Sequence, residues 1–139
     1  MAYWLLKTEP SEYSADDLRK SKVATWDGVA NPTALKNIRE MTKGDEVVVY
    51  HTGDERRCMA LATVSKPAYP DPTSDDEKAV VVDLKYKAML KSPVTLEQIK
   101  ADPAFEGWDL LRIGRLSVVS VPKPMWDRLI ALSSVAPAK

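Results

Sequence analysis

Three short clusters carry the residue types that could do chemistry. Lys7-Thr8-Glu9-Pro10 sets a cation and a carboxylate two positions apart, which on a strand places both side chains on one face. Trp26-Asp27-Gly28 joins an aromatic ring to a carboxylate just ahead of Asn31-Pro32, and Tyr50-His51-Thr52 ends a run of valines. Each cluster sits at the end of an apolar stretch, and open sites collect at strand ends and the loops beside them. Brought to one mouth, they would supply a π-face, a general base and hydrogen-bonding groups of both kinds. Each also has a plainer reading. Trp26 would be a core residue beside a turn aspartate, since Asp-Gly is common in turns; Lys7 and Glu9 would pair with each other or with Asp27; His51 would be a hydrogen-bonded histidine at a barrel rim.

Several chemistries lack their parts. One cysteine, Cys58, and one histidine, His51, cannot build a disulfide or a Cys/His zinc site. No Gly-x-Ser-x-Gly elbow is present, no cysteine stands beside a second histidine, and the five glycines form no phosphate-loop spacing. We therefore expect no metal and no cofactor. Lys+Arg and Asp+Glu number 20 each, so bulk charge does not hold the chain to nucleic acid, whose binding grows with the cations that displace counterions. A local pocket or patch remains the route. Arg56-Arg57, Arg112 and Arg115 are the candidates for phosphate contact, against the ordinary fate of solvated surface charge. The short apolar N-terminus and the lack of any membrane-length run lead us to expect a soluble, cytoplasmic protein that spans no membrane.

The elements that must position these residues follow from periodicity. At 139 residues, 45% of them hydrophobic, the chain is expected to form one domain over 1–139. Tyr3 to Lys7 reads as a buried strand, and Ser14 with Asp17 as a capping box opening a short helix through Leu18. Val23 to Val29 reads as extended or looped. Asn31 caps a helix to Met41 with proline at its first position, and Ala34, Leu35, Ile38 and Met41 share its buried face. Glu46 to Thr52 and Met59 to Val64 are expected to pair as a hairpin. "KPAYPDPTSDDEK" (Lys66 to Lys78) reads as a solvated loop, Ala79 to Ala88 as an alternating strand, and Thr95 with Gln98 as a second capping box. Leu116 to Val121 is a last strand and Pro124 to Leu132 a last helix. The class expected is α+β: a mixed, barrel-like sheet of five or six strands with short helices around it.

"YWLLKTEPSEYSADDL", "TWDGVANPTALKNIR", "GDEVVVYHTG", "AYPDPT" and "LLRIGRLSV", in this order, closely resemble the EVE domain family over nearly the whole chain. The resemblance implies a PUA-like mixed β-barrel, and partners in modified DNA or RNA, modified cytosine in DNA foremost. It implies a base pocket lined by Lys7, Glu9, Trp26, Asp27, Asn31, Tyr50, His51 and Thr52, with Tyr69 and Arg115 to Ser117 closing its rim. The chain departs from the family at Ala30, where an arginine is usual, and over Pro32 to Asn37, where a tyrosine is lost. The expectation is a non-catalytic nucleic-acid-binding domain. Two alternatives stand beside it: a small hydrolase of nucleotide-like substrates with His51 as base, and a protein-interaction module using the acidic loop from Asp71 to Glu77.

Overall fold

The computed structural model describes residues 1–27, 29 and 31–133. In chain order it contains β1 (Tyr3–Thr8), α1 (Ala15–Ser21), β2 (Val23–Trp26), α2 (Pro32–Glu40), β3 (Glu46–His51), β4 (Arg57–Pro70) and β5 (Val80–Thr95). There follow α3 (Leu96–Ala101), a 3-10 turn at Pro103–Phe105, α4 (Asp109–Arg112), β6 (Val118–Ser120) and α5 (Lys123–Ser133). The helix starts obey local chemistry. Ser14 and Thr95 form capping boxes with Asp17 and Gln98, and the Asn31 side chain accepts from the Thr33 and Ala34 backbone N–H groups, groups that otherwise lack partners in a first turn.

All six strands form one sheet in the order β2-β5-β4-β3-β1-β6. β1 and β3 run parallel and every other pair antiparallel. The β4–β5 hairpin is longer than the sequence leads one to expect: "KPAYP" (Lys66 to Pro70) belongs to β4, and β5 continues to Thr95. Its register breaks at four places, two of them flanking Lys66 and Tyr69. Bulges bend a strand and deepen its twist, and irregular pairing is where proline is tolerated in a sheet. The prolines that read as a loop instead help curl the sheet. The last strand is conversely shorter than Leu116 to Val121 and keeps only three residues.

The curl is barrel-like but the barrel stays open. β2 at one end of the sheet and β6 at the other are not paired with each other among the described residues. α2 spans part of the gap, with Ala34, Leu35 and Ile38 buried and the Asn37 amide donating to the Val118 carbonyl at 2.7 Å. One apolar cluster fills the interior, including Leu5, Leu6, Val47, Val49, Leu84, Ile99 and Phe105, all fully buried. Cys58 is a small core residue, and burial pushes its thiol up to about 12.

A buried carboxylate ties the chain start to the sheet. Asp45, only 1% exposed, accepts from the Ala2 N–H at 3.1 Å, the Trp4 indole at 3.0 Å, and the Thr42 N–H and hydroxyl, both at 2.9 Å. Burial alone would raise its pKa. The Thr42, Trp4 and Ala2 donors outweigh burial and hold the carboxyl below the ordinary aspartate value.

Candidate base-binding site in the open seam

Where the two ends of the curled sheet face each other, a cavity of about 720 Å³ opens. One side comes from the end of β1 (Lys7, Thr8), the turn after it (Glu9, Glu12, Tyr13) and Ser117 ahead of β6. The other comes from Ser21 at the end of α1, all of β2, and Asp27 and Val29 beyond it. The site is the unclosed seam of the barrel, and it exists because β2 pairs on one edge only.

Lys7 is half-buried, which lowers its pKa. Its Nζ donates to the Gly114 carbonyl at 3.0 Å and stands 5.9 Å from the centre of the Tyr50 ring. Glu9 accepts from the Ser11 N–H (3.3 Å) and hydroxyl (3.1 Å) and from the Thr52 hydroxyl (3.3 Å). Gly53, at φ +74°, lies so close that a Cβ there would stand 2.9 Å from Glu9 Oε2. Position 53 thus favours glycine for its conformation, while a Cβ there would only push the end of the flexible Glu9 side chain aside. Trp26 is 8% exposed and meets Tyr13 edge-on, with ring centres 6.1 Å apart and planes at 87°. The Tyr13 hydroxyl is 3.1 Å from Ser21 Oγ, which anchors the ring across α1. Asp27 is exposed and its side chain makes no hydrogen bond or ion pair among the described residues. Gly28 and Ala30 lie outside the described residues, and with them the expected Asp27-Gly28 turn and the departure at position 30.

Of the residues expected to gather, Lys7, Glu9, Trp26, Asp27 and Ser117 line the cavity. The other six do not, each for a visible reason. Asn31 spends its side-chain oxygen capping α2. Tyr50 is buried beneath Lys7, and desolvation, with Cys58 next to it, pushes its hydroxyl up to about 12. Thr52 serves Glu9 and the Thr8 carbonyl. Tyr69 donates at 2.6 Å to Asp83, which also accepts from Thr25 at 2.9 Å, and its ring carries Lys66 Nζ at 4.2 Å. Arg115 is exposed in the loop between Gly114 and Ser117.

His51 departs furthest from a role as base. Only 4% exposed, it accepts the Ala15 N–H on Nε2 at 2.9 Å and meets Glu55 through Nδ1 at 3.1 Å. Both ring nitrogens are engaged, Nε2 in holding the first turn of α1 and Nδ1 with the Glu55 carboxylate. Of the arginines weighed for phosphate, Arg57 pairs with Glu55, Arg112 with Asp109, and Arg56 donates to the Gly53 carbonyl. Glu12, Tyr13, Ser21 and Thr25 are site residues that the sequence reading missed. Tyr13 had a signal: an aromatic immediately before the capping Ser14 is placed to pack over the helix entrance.

The charged groups in the lining are Lys7 against Glu9, Glu12 and Asp27. Such a lining repels phosphate and offers acceptors, which suits a ligand edge that donates hydrogen bonds. Among the described residues no group of His, Cys, Asp or Glu is placed to hold a metal ion. No helix among them is long and apolar enough to cross a membrane.

Comparison with known proteins agrees with this frame. The EVE domain family model matches residues 2–132. Mouse thymocyte nuclear protein 1 is 29% identical over 170 aligned positions, covering 98% of this chain and 75% of that protein. A protein from Rhodopseudomonas palustris is 36% identical, with a TM-score of 0.90 over 96% of this chain and 93% of that one. The human THYN1 protein, solved in complex with DNA containing 5-methylcytosine, is 26% identical, with a TM-score of 0.89 over 99% of this chain and all of that one. The fold is the PUA-like one of these relatives.

Proposed function

The chain belongs to the EVE domain family, and from that premise we propose that its seam cavity receives a modified base, a 5-modified cytosine in DNA, and binds it without catalysis. The observation that carries this reading is a cavity with Tyr13 and Trp26 in its wall and with the Asp27 and Glu12 side chains free of partners among the described residues. Its volume of about 720 Å³ falls within the range of small-molecule sites, roughly 300–1,000 Å³. The human relative bound to 5-methylcytosine DNA supports DNA as the source of the base.

A base leaving its duplex loses stacking and pairing worth a few kcal/mol, which the pocket must return. Contact with aromatic side chains returns roughly 1–3 kcal/mol. An exocyclic amine, such as cytosine carries, donates to a carboxylate. Asp27, beside the Trp26 ring, is one of the two lining acceptors, with Glu12, that have no partner among the described residues. Burying a methyl mark adds about 0.8 kcal/mol, close to fourfold in affinity, so the methyl alone discriminates modestly.

Two features support binding over hydrolysis. His51 has both ring nitrogens occupied away from the cavity, and the Cys58 thiol is buried with its pKa pushed up to about 12. A thiol so held is not a nucleophile at neutral pH. The interaction-module alternative requires a filled barrel, which the cavity does not match.

The test is a titration of single- and double-stranded oligonucleotides, each with one cytosine, 5-methylcytosine or 5-hydroxymethylcytosine, together with a search for product after long incubation. The reading expects tighter binding of the modified strands and unaltered oligonucleotide. Equal affinity for all three bases, or released product, would overturn it.

A further inference from the structure

Lys22 stands where a lysine is conformationally out of place. It closes α1 with φ +69° and ψ −35°, in the left-handed half of backbone space where side chains other than glycine are disfavoured. Its N–H bonds to the Leu18 carbonyl at 2.8 Å and its carbonyl accepts from the Tyr86 N–H at 2.8 Å, so the backbone there is held from both sides. A glycine would adopt this turn freely. The side chain kept at this cost is exposed, and it makes no hydrogen bond or ion pair among the described residues.

Its position is informative. Ser21 and Val23, its two neighbours in the chain, both line the cavity. Val23 pairs with Lys85 on β5, whose side chain is also exposed and without a partner among the described residues. Across the seam, Gly114 accepts Lys7 and Ser117 lines the wall, and between them Arg115 is exposed and unpaired among the described residues. Lys20, Lys87, Arg57 and Arg112 are each paired with a carboxylate, whereas Lys36, Lys43, Lys91 and Lys100 are exposed and unpartnered elsewhere among the described residues. What sets Lys22, Lys85 and Arg115 apart is their place beside the residues of the cavity wall. Free cations thus flank the cavity on both sides, whereas the lining has three carboxylates to one lysine.

We propose that Lys22 and Lys85 on one side, and Arg115 on the other, hold the phosphates that flank the base inserted in the seam. This rests on the reading of the seam as a base site. The division of labour is electrostatic. Cations outside the mouth hold the backbone, and carboxylates inside keep phosphate out and leave only the base to enter. A neutral chain then binds a polyanion through three placed charges.

The experiment measures affinity for a duplex with one 5-methylcytosine against salt concentration, for the wild type, Lys22→Gly, Lys85→Gln, Arg115→Gln and, as control, Arg112→Gln. Removing one cation that meets a phosphate should make the log–log slope shallower by about 0.9. Lys22→Gly, Lys85→Gln and Arg115→Gln should each show that change while the ratio of methylated to unmethylated affinity holds. Lys22→Gly should also melt no lower than the wild type, because glycine suits the turn. Arg112→Gln should match the wild type in slope. An unchanged slope in Lys22→Gly overturns the proposal while leaving the base site standing. A wild type that binds no modified oligonucleotide overturns both.

Discussion

The Ala15 N–H donates to His51 Nε2 at 2.9 Å, joining the start of α1 to the end of β3. An Nε2 that accepts leaves the ring proton on Nδ1, facing Glu55. His51→Ala removes the acceptor from a buried N–H, which costs about 1–3 kcal/mol. We expect a lower melting temperature and no change in the product yield of any nucleotide assay. Loss of a measurable turnover at intact stability would restore His51 as a base.

Asp45 predicts how the fold responds to acid. Its folded pKa lies below the ordinary value of 3.8, so its contribution is complete above that value and disappears as pH falls through the folded one. Stability should therefore decline on acidification below about pH 4. Asp45→Asn should lower stability at neutral pH by about 1.5–3 kcal/mol, the range for hydrogen bonds to a charged group, and flatten the acid limb. Equilibrium unfolding from pH 2 to 7 in both proteins checks the sign; parallel curves would mean that Asp45 is not the titrating group.

Trp26 and Tyr13 separate packing from recognition. Trp26→Ala empties a nearly buried site and should cost about 3–5 kcal/mol of stability whatever it does to binding. Tyr13 is half-buried, so Tyr13→Ala is the cleaner probe. It should weaken modified and unmodified strands alike, by roughly 1–3 kcal/mol, with a smaller stability loss than Trp26→Ala. Calorimetric binding alongside thermal melts distinguishes the two; full affinity in Tyr13→Ala removes that ring from the site.

Asp27→Asn preserves shape and one acceptor oxygen but adds donors and drops the charge. Affinity should fall most for a base presenting an amine and least for one presenting a carbonyl, which the new amide can serve. Comparing 5-methylcytosine with thymine in the same duplex position reads the difference. An equal loss for both bases would place Asp27 outside base recognition.

Local rules carried much of the fold. The capping boxes at Ser14 and Thr95 and the Asn31-Pro32 helix start could be read directly, because a cap is written in adjacent residues. The hairpin length could not. Pro67 and Pro70 signal a loop locally, and only pairing with β5 across bulges makes the segment a strand. The site divides along the same line. Lys7, Glu9, Trp26, Asp27 and Ser117 reach the cavity from strand ends, as their positions imply. Tyr50 and His51 share a strand end too, but which face of β3 each side chain takes, and that α1 packs over His51, are tertiary facts. Tyr13 has a local signal for packing over the start of α1, but its place in the cavity wall depends on the seam between β2 and β6, which no window of sequence displays.

Base recognition in the seam is tested most directly by where a modified base touches the protein. The measurement is a ¹H–¹⁵N correlation titration with two duplexes differing only in one 5-methyl group. We predict that the methylated duplex shifts the amides of Lys7, Glu9, Tyr13, Asp27 and Ser117 and the Trp26 indole more than the unmethylated one does, with Cys58 and Asp45 unmoved. Shifts of equal size with both duplexes, or shifts centred away from the seam on Asp54 to Arg57 and Thr95 to Lys100, would contradict it.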